Sequence, residues 1–116
     1  MDIRTSRIYD EDAELGYRVL VDRLWPRGLS RERAALDAWW KDVAPSDALR
    51  RWFSHEDARW PDFRKRYLSE LAAQREHVRS CLASVHDGPL ILLYAAADRE
   101  HNNARVLKEY LGRLKA

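Results

Sequence analysis

A continuous apolar run, LILLYAA at residues 90–96, constrains the fold of this chain most strongly. The breakers Gly88-Pro89 stand directly before it, and the run is too short to be a buried helix. A strand that is apolar at every position, and not at every second one, is typical of a strand covered on both faces. The run therefore predicts the central strand of a mainly parallel sheet.

Two further segments, residues 3–9 and 17–25, have strand-like composition. The acidic segment that separates them ends at Gly16 and is predicted to be a loop. Neither face of the 17–25 segment is polar until its last residues, which indicates that this strand too is covered on both sides.

Helices are indicated by caps and by apolar spacing. Ser30 is placed to cap a short helix that continues through Ala35, and Ser46 is placed to cap a helix that ends near Ser54. The segment LDAWWKDVAP between these helices is ambiguous, and we favour an extended connection.

The second half of the chain predicts two longer helices. Pro61 suits the first turn of a helix, and apolar residues recur at helical spacing from there to about His86. A last helix is expected from about Glu100 to Leu114. Strands that alternate with helices indicate a small single-domain α/β layered fold over residues 1–116, with a mainly parallel sheet flanked by helices.

Composition excludes several classes of protein. The formal net charge is +2, which is well below that of a dedicated nucleic-acid-binding protein. No apolar run approaches the ~20 residues that span a bilayer, and the N-terminal segment lacks the apolar core of a signal peptide. The single cysteine, Cys81, forms no intramolecular disulfide, and we expect a packed, unreactive thiol. We expect a cytoplasmic protein that uses no cofactor.

Polar residues follow two of the predicted strands at the point where each strand ends. The first group is Asp22-Arg23-Leu24-Trp25-Pro26-Arg27-Gly28, and the second runs from Ala97 to Asn103. In open α/β sheets, ligands bind at the carboxyl ends of the strands. We therefore expect the two groups to form one site, and in particular Asp22, Arg27, Asp98 and His101 to lie close together.

Each candidate residue has a chemical reason to take part. Arg23 and Arg27 are forked cations that suit an oxyanion, and the amides of Asn102 and Asn103 stand near a helix N-terminus that favours an anion. If the protein is an enzyme, we expect His101 to act as general acid or base, and Asp22 or Asp98 to orient or assist it. We expect no metal site, because His55-Glu56-Asp57 has no partner histidine at helical spacing.

Several of these residues could instead have a purely structural role. Asp98 has the position of a helix cap, and Asn102 and Asn103 have that of polar residues in a first turn. Asp22 has arginines nearby with which it could form an ion pair at the strand end. We expect Arg27 to be the better anion contact, and Arg23 to pair with an acid.

Four segments occur in an order that is characteristic of one known family. They are RVLVDRLWPRGLS, DAWWKDVAPSDALRRWFSH, FRKRYLSEL and LLYAAADREHNNARVLKEYL. Through nearly its whole length the chain resembles the YeaO-like branch of domain-of-unknown-function family 488. This resemblance implies a compact bacterial or archaeal α/β protein with no established activity.

The broader family pairs an Asp–Arg–Pro strand end with a later strand end that contains cysteines and a Cys-His-Arg element. Asp22, Arg23, Pro26 and Arg27 match the first element in kind, and His101 matches the histidine of the second. The cysteines of that element are absent here, so the resemblance implies no thiol chemistry for this chain.

The preferred interpretation is a polar pocket at the strand ends that binds or acts on an anionic small molecule, such as a nucleotide or phosphoester. One alternative is a nucleic-acid-binding module that uses the arginine-rich segment 50–66. Another is an interaction protein that docks a partner on exposed tryptophans. A homodimer is left open.

Overall fold

A four-stranded parallel sheet forms the centre of the fold. The computed structural model describes residues 1–10, 15–86 and 88–115. The strands are β1 (Ile3–Arg7), β2 (Tyr17–Leu20), β3 (Ala38–Trp39) and β4 (Leu90–Tyr94), and their order in the sheet is β1-β4-β2-β3. Every strand pair is parallel, so the predicted α/β class with a parallel sheet is confirmed.

The apolar run at residues 90–96 contains the central strand, β4. All residues of β4 are buried, and the strand pairs on one side with β1, from Ile3↔Leu90 to Arg7↔Tyr94. On its other side it pairs with β2, from Tyr17↔Leu90 to Leu20↔Leu93. The carboxyl ends of these three strands therefore lie at the same edge of the sheet.

The described residues form five α-helices: α1 (Arg31–Ala34), α2 (Asp47–Phe53), α3 (Trp60–Ala73), α4 (Arg75–Ala83) and α5 (Asn103–Lys115). Two short 3-10 turns, Lys41–Val43 and Asp57–Arg59, precede α2 and α3. Both predicted caps are confirmed, because Ser30 Oγ accepts from the Arg33 amide and Ser46 Oγ accepts from the Leu49 amide. The described part of the chain contains no helix with the length and apolarity needed to cross a membrane.

The predicted single helix from Pro61 to His86 is wrong, because Gln74 interrupts it. Gln74 has φ −123° and ψ 39°, outside the helical region, and α4 begins at the next residue. Its side-chain amide donates to the Asp42 carbonyl at 3.2 Å. The apolar spacing continues across the break, since Leu71 and Val78 are both buried, and so the pattern alone does not reveal it.

Two other predicted boundaries also shift. The strand expected over 17–25 ends at Leu20, although the Val21 amide still donates to the Leu93 carbonyl at 3.0 Å. The last helix begins at Asn103 and not near Glu100, because Asp98 holds the preceding residues in a turn. Of the predicted loop between the first two strands, residues 11–14 lie outside the described residues.

The two faces of the sheet are covered differently. Side chains such as Val19 and Leu92 pack with apolar residues of α2, α3, α4 and α5 in the larger core. On the opposite face, Leu20, Ile91 and Leu93 pack against residues that follow β1 and β2, and against α1. The helices are therefore concentrated on one face, and loops cover much of the other.

Gly16 and Gly112 provide a test of this packing. A Cβ atom at Gly16 would lie 2.4 Å from the Pro89 carbonyl oxygen, whereas one at Gly112 in α5 would meet nothing within 4 Å. We expect Gly16→Ala to lower the free energy of unfolding by ~1–3 kcal/mol, because backbone must move. Gly112→Ala should be neutral or stabilising by up to ~1 kcal/mol. Urea denaturation measures the free energy of unfolding of both variants. Equal changes in the two variants would contradict the close approach of Gly16 to the Pro89 carbonyl.

Candidate functional site

A pocket of about 710 Å³ opens at the carboxyl edge of the sheet. Residues that follow β2, residues that follow β4, the start of α5 and the end of α2 line it. Its polar and charged lining residues are Tyr9, Asp22, Arg23, Arg27, Arg50, Arg51, Ser54, His55, His101, Asn102 and Asn103. The two polar segments predicted to form one site therefore do lie at the same edge.

Asp22 connects the strand ends that form the pocket floor. Its Oδ2 accepts from the Ala95 amide at 3.0 Å, directly after β4, and its Oδ1 accepts from Asn103 Nδ2 at 2.9 Å, at the start of α5. The Asp22 backbone carbonyl accepts from Trp39 Nε1 at 2.7 Å. No ion pair between Asp22 and an arginine is present among the described residues, so the structural alternative of such a pair does not apply. Neutral donors hold this carboxylate instead.

Burial raises the pKa of the Asp22 carboxyl above its usual value. The hydrogen bonds from Asn103 and Ala95 oppose this increase, because they stabilise the ionised form. Asp98 shows the opposite behaviour at the exposed rim. Backbone hydrogen bonds from His101 and Glu100 lower the pKa of its carboxyl.

Arg23 has a structural position, but its partners differ from the prediction. Its Nε donates to the Pro45 carbonyl at 3.0 Å and its Nη2 donates to the Ala44 carbonyl at 3.1 Å. The expected pairing with an acid is wrong. The reason is that the Ala44 and Pro45 carbonyls lie in a buried segment before α2 and need hydrogen-bond donors. The forked N–H groups of Arg23 supply these donors.

Arg27 and Arg51 are the pocket arginines whose side chains have no hydrogen-bond or ion-pair partner in the described part of the chain. Arg27 is exposed, and only its backbone carbonyl is used, as an acceptor for the Tyr9 hydroxyl at 2.8 Å. Arg51 is exposed at the end of α2, with no ion pair or hydrogen bond of its side chain to any described residue. By contrast, Arg50 pairs with Asp47 at 3.3 Å. Arg27 and Arg51 are therefore available to an anionic ligand.

The two asparagines at the start of α5 bond within the protein. Asn102 is 2% exposed, its Nδ2 donates to the Asp98 carbonyl, and its Oδ1 accepts from the Arg105 amide at 3.1 Å. It is thus the residue that caps α5, a role considered for Asp98. Asn103 Nδ2 donates to both Val21 O and Asp22 Oδ1, each at 2.9 Å. Ligand binding by these amides stays a prediction.

His101 lies at the rim of the pocket between two carboxylates. Its Nδ1 is 3.1 Å from Asp57 Oδ1 and 3.9 Å from Asp98 Oδ2, and its ring stacks on Trp60 with centroids 4.7 Å apart. Asp98 contacts His101 but does not line the pocket itself. The catalytic roles expected for Asp22, Asp98 and His101 stay predictions.

Sequence reasoning missed three residues of this region: Arg51, His55 and Asp57. Ser54 and His55 have positive φ angles of 47° and 57°, and this left-handed turn after α2 brings His55 to the pocket wall. Neither Ser54 nor His55 is a glycine, so composition carried no signal of such a turn. Asp57 and His101 are distant in the chain, and no spacing motif joins them.

The chain is thus an α/β protein with a parallel sheet and a polar pocket at its strand ends. Residues 2–115 match the family model described as the inactive DUF488-N3 subclade, and the chain belongs to that family. The resemblance to the YeaO-like branch of family 488 is confirmed.

Several curated proteins are similar to this chain. The uncharacterized protein YeaO of Escherichia coli strain K12 is 41% identical over 112 residues, which cover 96% of this chain and 97% of that protein. The uncharacterized protein Rv3073c of Mycobacterium tuberculosis strain H37Rv is 44% identical over 70 residues, which cover 60% of this chain and 59% of that protein. The uncharacterized protein Mb3100c of Mycobacterium bovis shows the same values. No solved structure matches the chain.

Substitution of the two neighbouring arginines should separate structure from ligand contact. Arg23→Ala removes the donors to the Ala44 and Pro45 carbonyls, so we expect a loss of ~1–3 kcal/mol in the free energy of unfolding. Arg27→Ala should leave stability within ~0.5 kcal/mol of wild type, because its exposed side chain makes no hydrogen bond or ion pair with a described residue. Thermal and urea denaturation of both variants measure this, and a destabilised Arg27→Ala beside an unaffected Arg23→Ala would reverse the assignment.

Asp22 should impose a specific pH dependence on stability. Since its folded-state pKa is raised, the folded protein binds this proton more tightly than the unfolded chain does. Ionised Asp22 therefore costs stability at neutral pH, and the cost disappears as the pH falls through the raised pKa towards ~4. Relative to Asp22→Asn, the wild type should gain stability on acidification over this window. If the stability of the wild type relative to Asp22→Asn stays constant or falls on acidification, burial does not dominate the pKa of Asp22.

Proposed function

We propose that the protein binds an anionic small molecule, of the phosphoester or nucleotide class, in the pocket at the strand ends. One observation carries this proposal: among the described residues, four arginines line the pocket, Arg23, Arg27, Arg50 and Arg51, against one carboxylate, that of Asp22. His55 and His101 add two imidazoles to the same wall. Such an excess of positive groups in a concave site attracts anions and concentrates them there.

The distribution of contacts among these arginines indicates which of them would bind the anion. Arg23 is fixed by backbone carbonyls and Arg50 is paired with Asp47, so both serve the fold. Arg27 and Arg51 come from different segments, after β2 and at the end of α2, and neither is neutralised by a described residue. Forked guanidinium groups bind phosphate and carboxylate oxygens in pairs, and two of them suit one oxyanion.

Binding without turnover is the version of this proposal that the site supports best. Both oxygens of Asp22 accept hydrogen bonds from the protein, so this carboxylate supports the pocket floor. The family to which the chain belongs is described as inactive, which also favours binding over catalysis. If the pocket does support a reaction, His101 would be its general acid or base, oriented by Asp57 or Asp98.

The alternative of a nucleic-acid surface on residues 50–66 has less support. Arg64 is bound in a forked pair to Glu109, and the guanidinium groups of Arg59 and Arg66 lie over the ring of Trp52. These cations are used within the protein and would have to leave their partners to reach a phosphate backbone. A cytoplasmic location belongs to the proposal as well, in keeping with a single cysteine, which is half-buried and free.

Calorimetric titration with inorganic phosphate and with AMP tests the proposal. We expect saturable binding at one site, weakened about tenfold or more by Arg27→Gln and by Arg51→Gln, because each removes a charge-assisted hydrogen bond worth ~1.5–3 kcal/mol. Arg79→Gln is the matched control, since this exposed arginine of α4 lies outside the pocket and carries the same charge.

Arg27→Lys distinguishes a forked contact from a simple charge effect. It retains the charge but loses the pair of parallel donors, and we expect an affinity between those of wild type and Arg27→Gln. Absence of binding to both anions in the wild-type protein would contradict the proposal. So would a loss of affinity in Arg79→Gln as large as that in the pocket variants.

A further inference from the structure

Three side chains from two separate loops meet beside the pocket: Asp57, Asp98 and His101. Asp57 belongs to the turn before α3, whereas Asp98 and His101 belong to the segment between β4 and α5. One ligand atom of each, two carboxylate oxygens and one imidazole nitrogen, lies within 4.8 Å of the other two. Among the described residues, this is the group of His, Cys, Asp and Glu side chains with such spacing.

The distances within this group, which include a hydrogen bond between His101 Nδ1 and Asp57 Oδ1, also fit a set of ligands around one cation. His101 Nδ1 is 3.1 Å from Asp57 Oδ1 and 3.9 Å from Asp98 Oδ2. Metal–nitrogen and metal–oxygen bonds of ~2.0–2.2 Å in a tetrahedral zinc site place ligand atoms ~3.4 Å apart. The observed separations lie on both sides of that value, so a small cation between the three atoms requires only side-chain adjustment.

Two of the three ligands are held in place by contacts that leave the ligand atom accessible. Asp98 Oδ1 accepts from the amides of Glu100 and His101, both at 2.9 Å, which leaves Oδ2 directed towards the imidazole. The ring of His101 stacks on Trp60 with an interplanar angle of 15°, and this contact sets the plane of the ring. Fixed ligand orientation lowers the ordering cost of metal binding.

The donor set selects among cations. An imidazole nitrogen together with two carboxylate oxygens suits a first-row transition metal such as Zn²⁺, whereas Mg²⁺ prefers oxygen ligands and water. Asp57 and Asp98 have side chains that are 76% and 43% exposed, so water can complete the coordination. Two carboxylates also match the charge of a divalent cation.

We propose that Asp57, Asp98 and His101 form a binding site for a divalent transition metal of the Zn²⁺ type, with the remaining positions filled by water. The site shares His101 with the rim of the anion pocket, but its other two ligands, Asp57 and Asp98, do not line that pocket, and none of its ligands is an arginine. Its Asp57 ligand joins the turn before α3 to the start of α5, so the metal would connect these two segments.

The experiment is a calorimetric titration of the full-length protein with ZnCl₂ in a buffer that does not chelate metals. We expect one site in the wild type, and affinity at least about tenfold weaker in Asp57→Asn and in His101→Gln, because even outer-shell partners of metal ligands change affinity by ~10–100-fold. Asp57→Asn is the more decisive variant, because its exposed side chain can be changed without unfolding the protein. His77→Gln, an exposed histidine of α4, is the control and should bind Zn²⁺ as the wild type does.

Three results would overturn the proposal: no Zn²⁺ binding by the wild type, undiminished binding by folded Asp57→Asn, or equal weakening in His77→Gln. Equal affinity for MgCl₂ and ZnCl₂ would also overturn it, since the imidazole would then contribute nothing. Binding of phosphate by Arg27→Gln and Arg51→Gln is measured separately, so failure of the anion pocket leaves the metal result unaffected.

Discussion

A single partly buried carboxylate, that of Asp22, joins the parts of the structure on which the pocket depends. It accepts from the backbone after β4 and from the first residue of α5, while its own carbonyl accepts from Trp39 at the edge of the sheet. A buried charge is tolerated only when donors surround it. The fold meets this requirement with neutral amides, and the neighbouring Arg23 bonds to other groups, the carbonyls of Ala44 and Pro45.

This arrangement explains why the pocket has an excess of positive charge. If Asp22 paired with Arg23 or Arg27, the floor of the pocket would be locally neutral. Instead Arg23 stabilises the carbonyls of Ala44 and Pro45, and Arg27 extends from the turn after Pro26 without a partner among the described residues. The polar groups at the strand ends thus form two sets. One set makes hydrogen bonds within the protein, and the other faces the pocket.

Local patterns in the sequence predicted much of the fold, but they did not predict contacts between segments that are distant in the chain. The caps at Ser30 and Ser46 and the central strand Leu90–Tyr94 follow from short-range patterns and are confirmed. The break at Gln74 does not follow, because the apolar spacing continues across it. The edge of the sheet that holds the site was predicted from topology, but the partners of its side chains depend on loops that only the folded chain brings together. Asp57 beside His101 is the clearest example.

The most direct test of the account is an amide NMR titration of the isotopically labelled protein with inorganic phosphate. We expect concentration-dependent shifts at residues 22–28 and 95–103 and at the Arg27 and Arg51 side-chain N–H groups, with the amides of α4 unchanged. This pattern would place the anion at the joined strand ends. Shifts confined to residues outside these two segments, or no shifts at saturating phosphate, would contradict the claim that this edge of the sheet is an anion site.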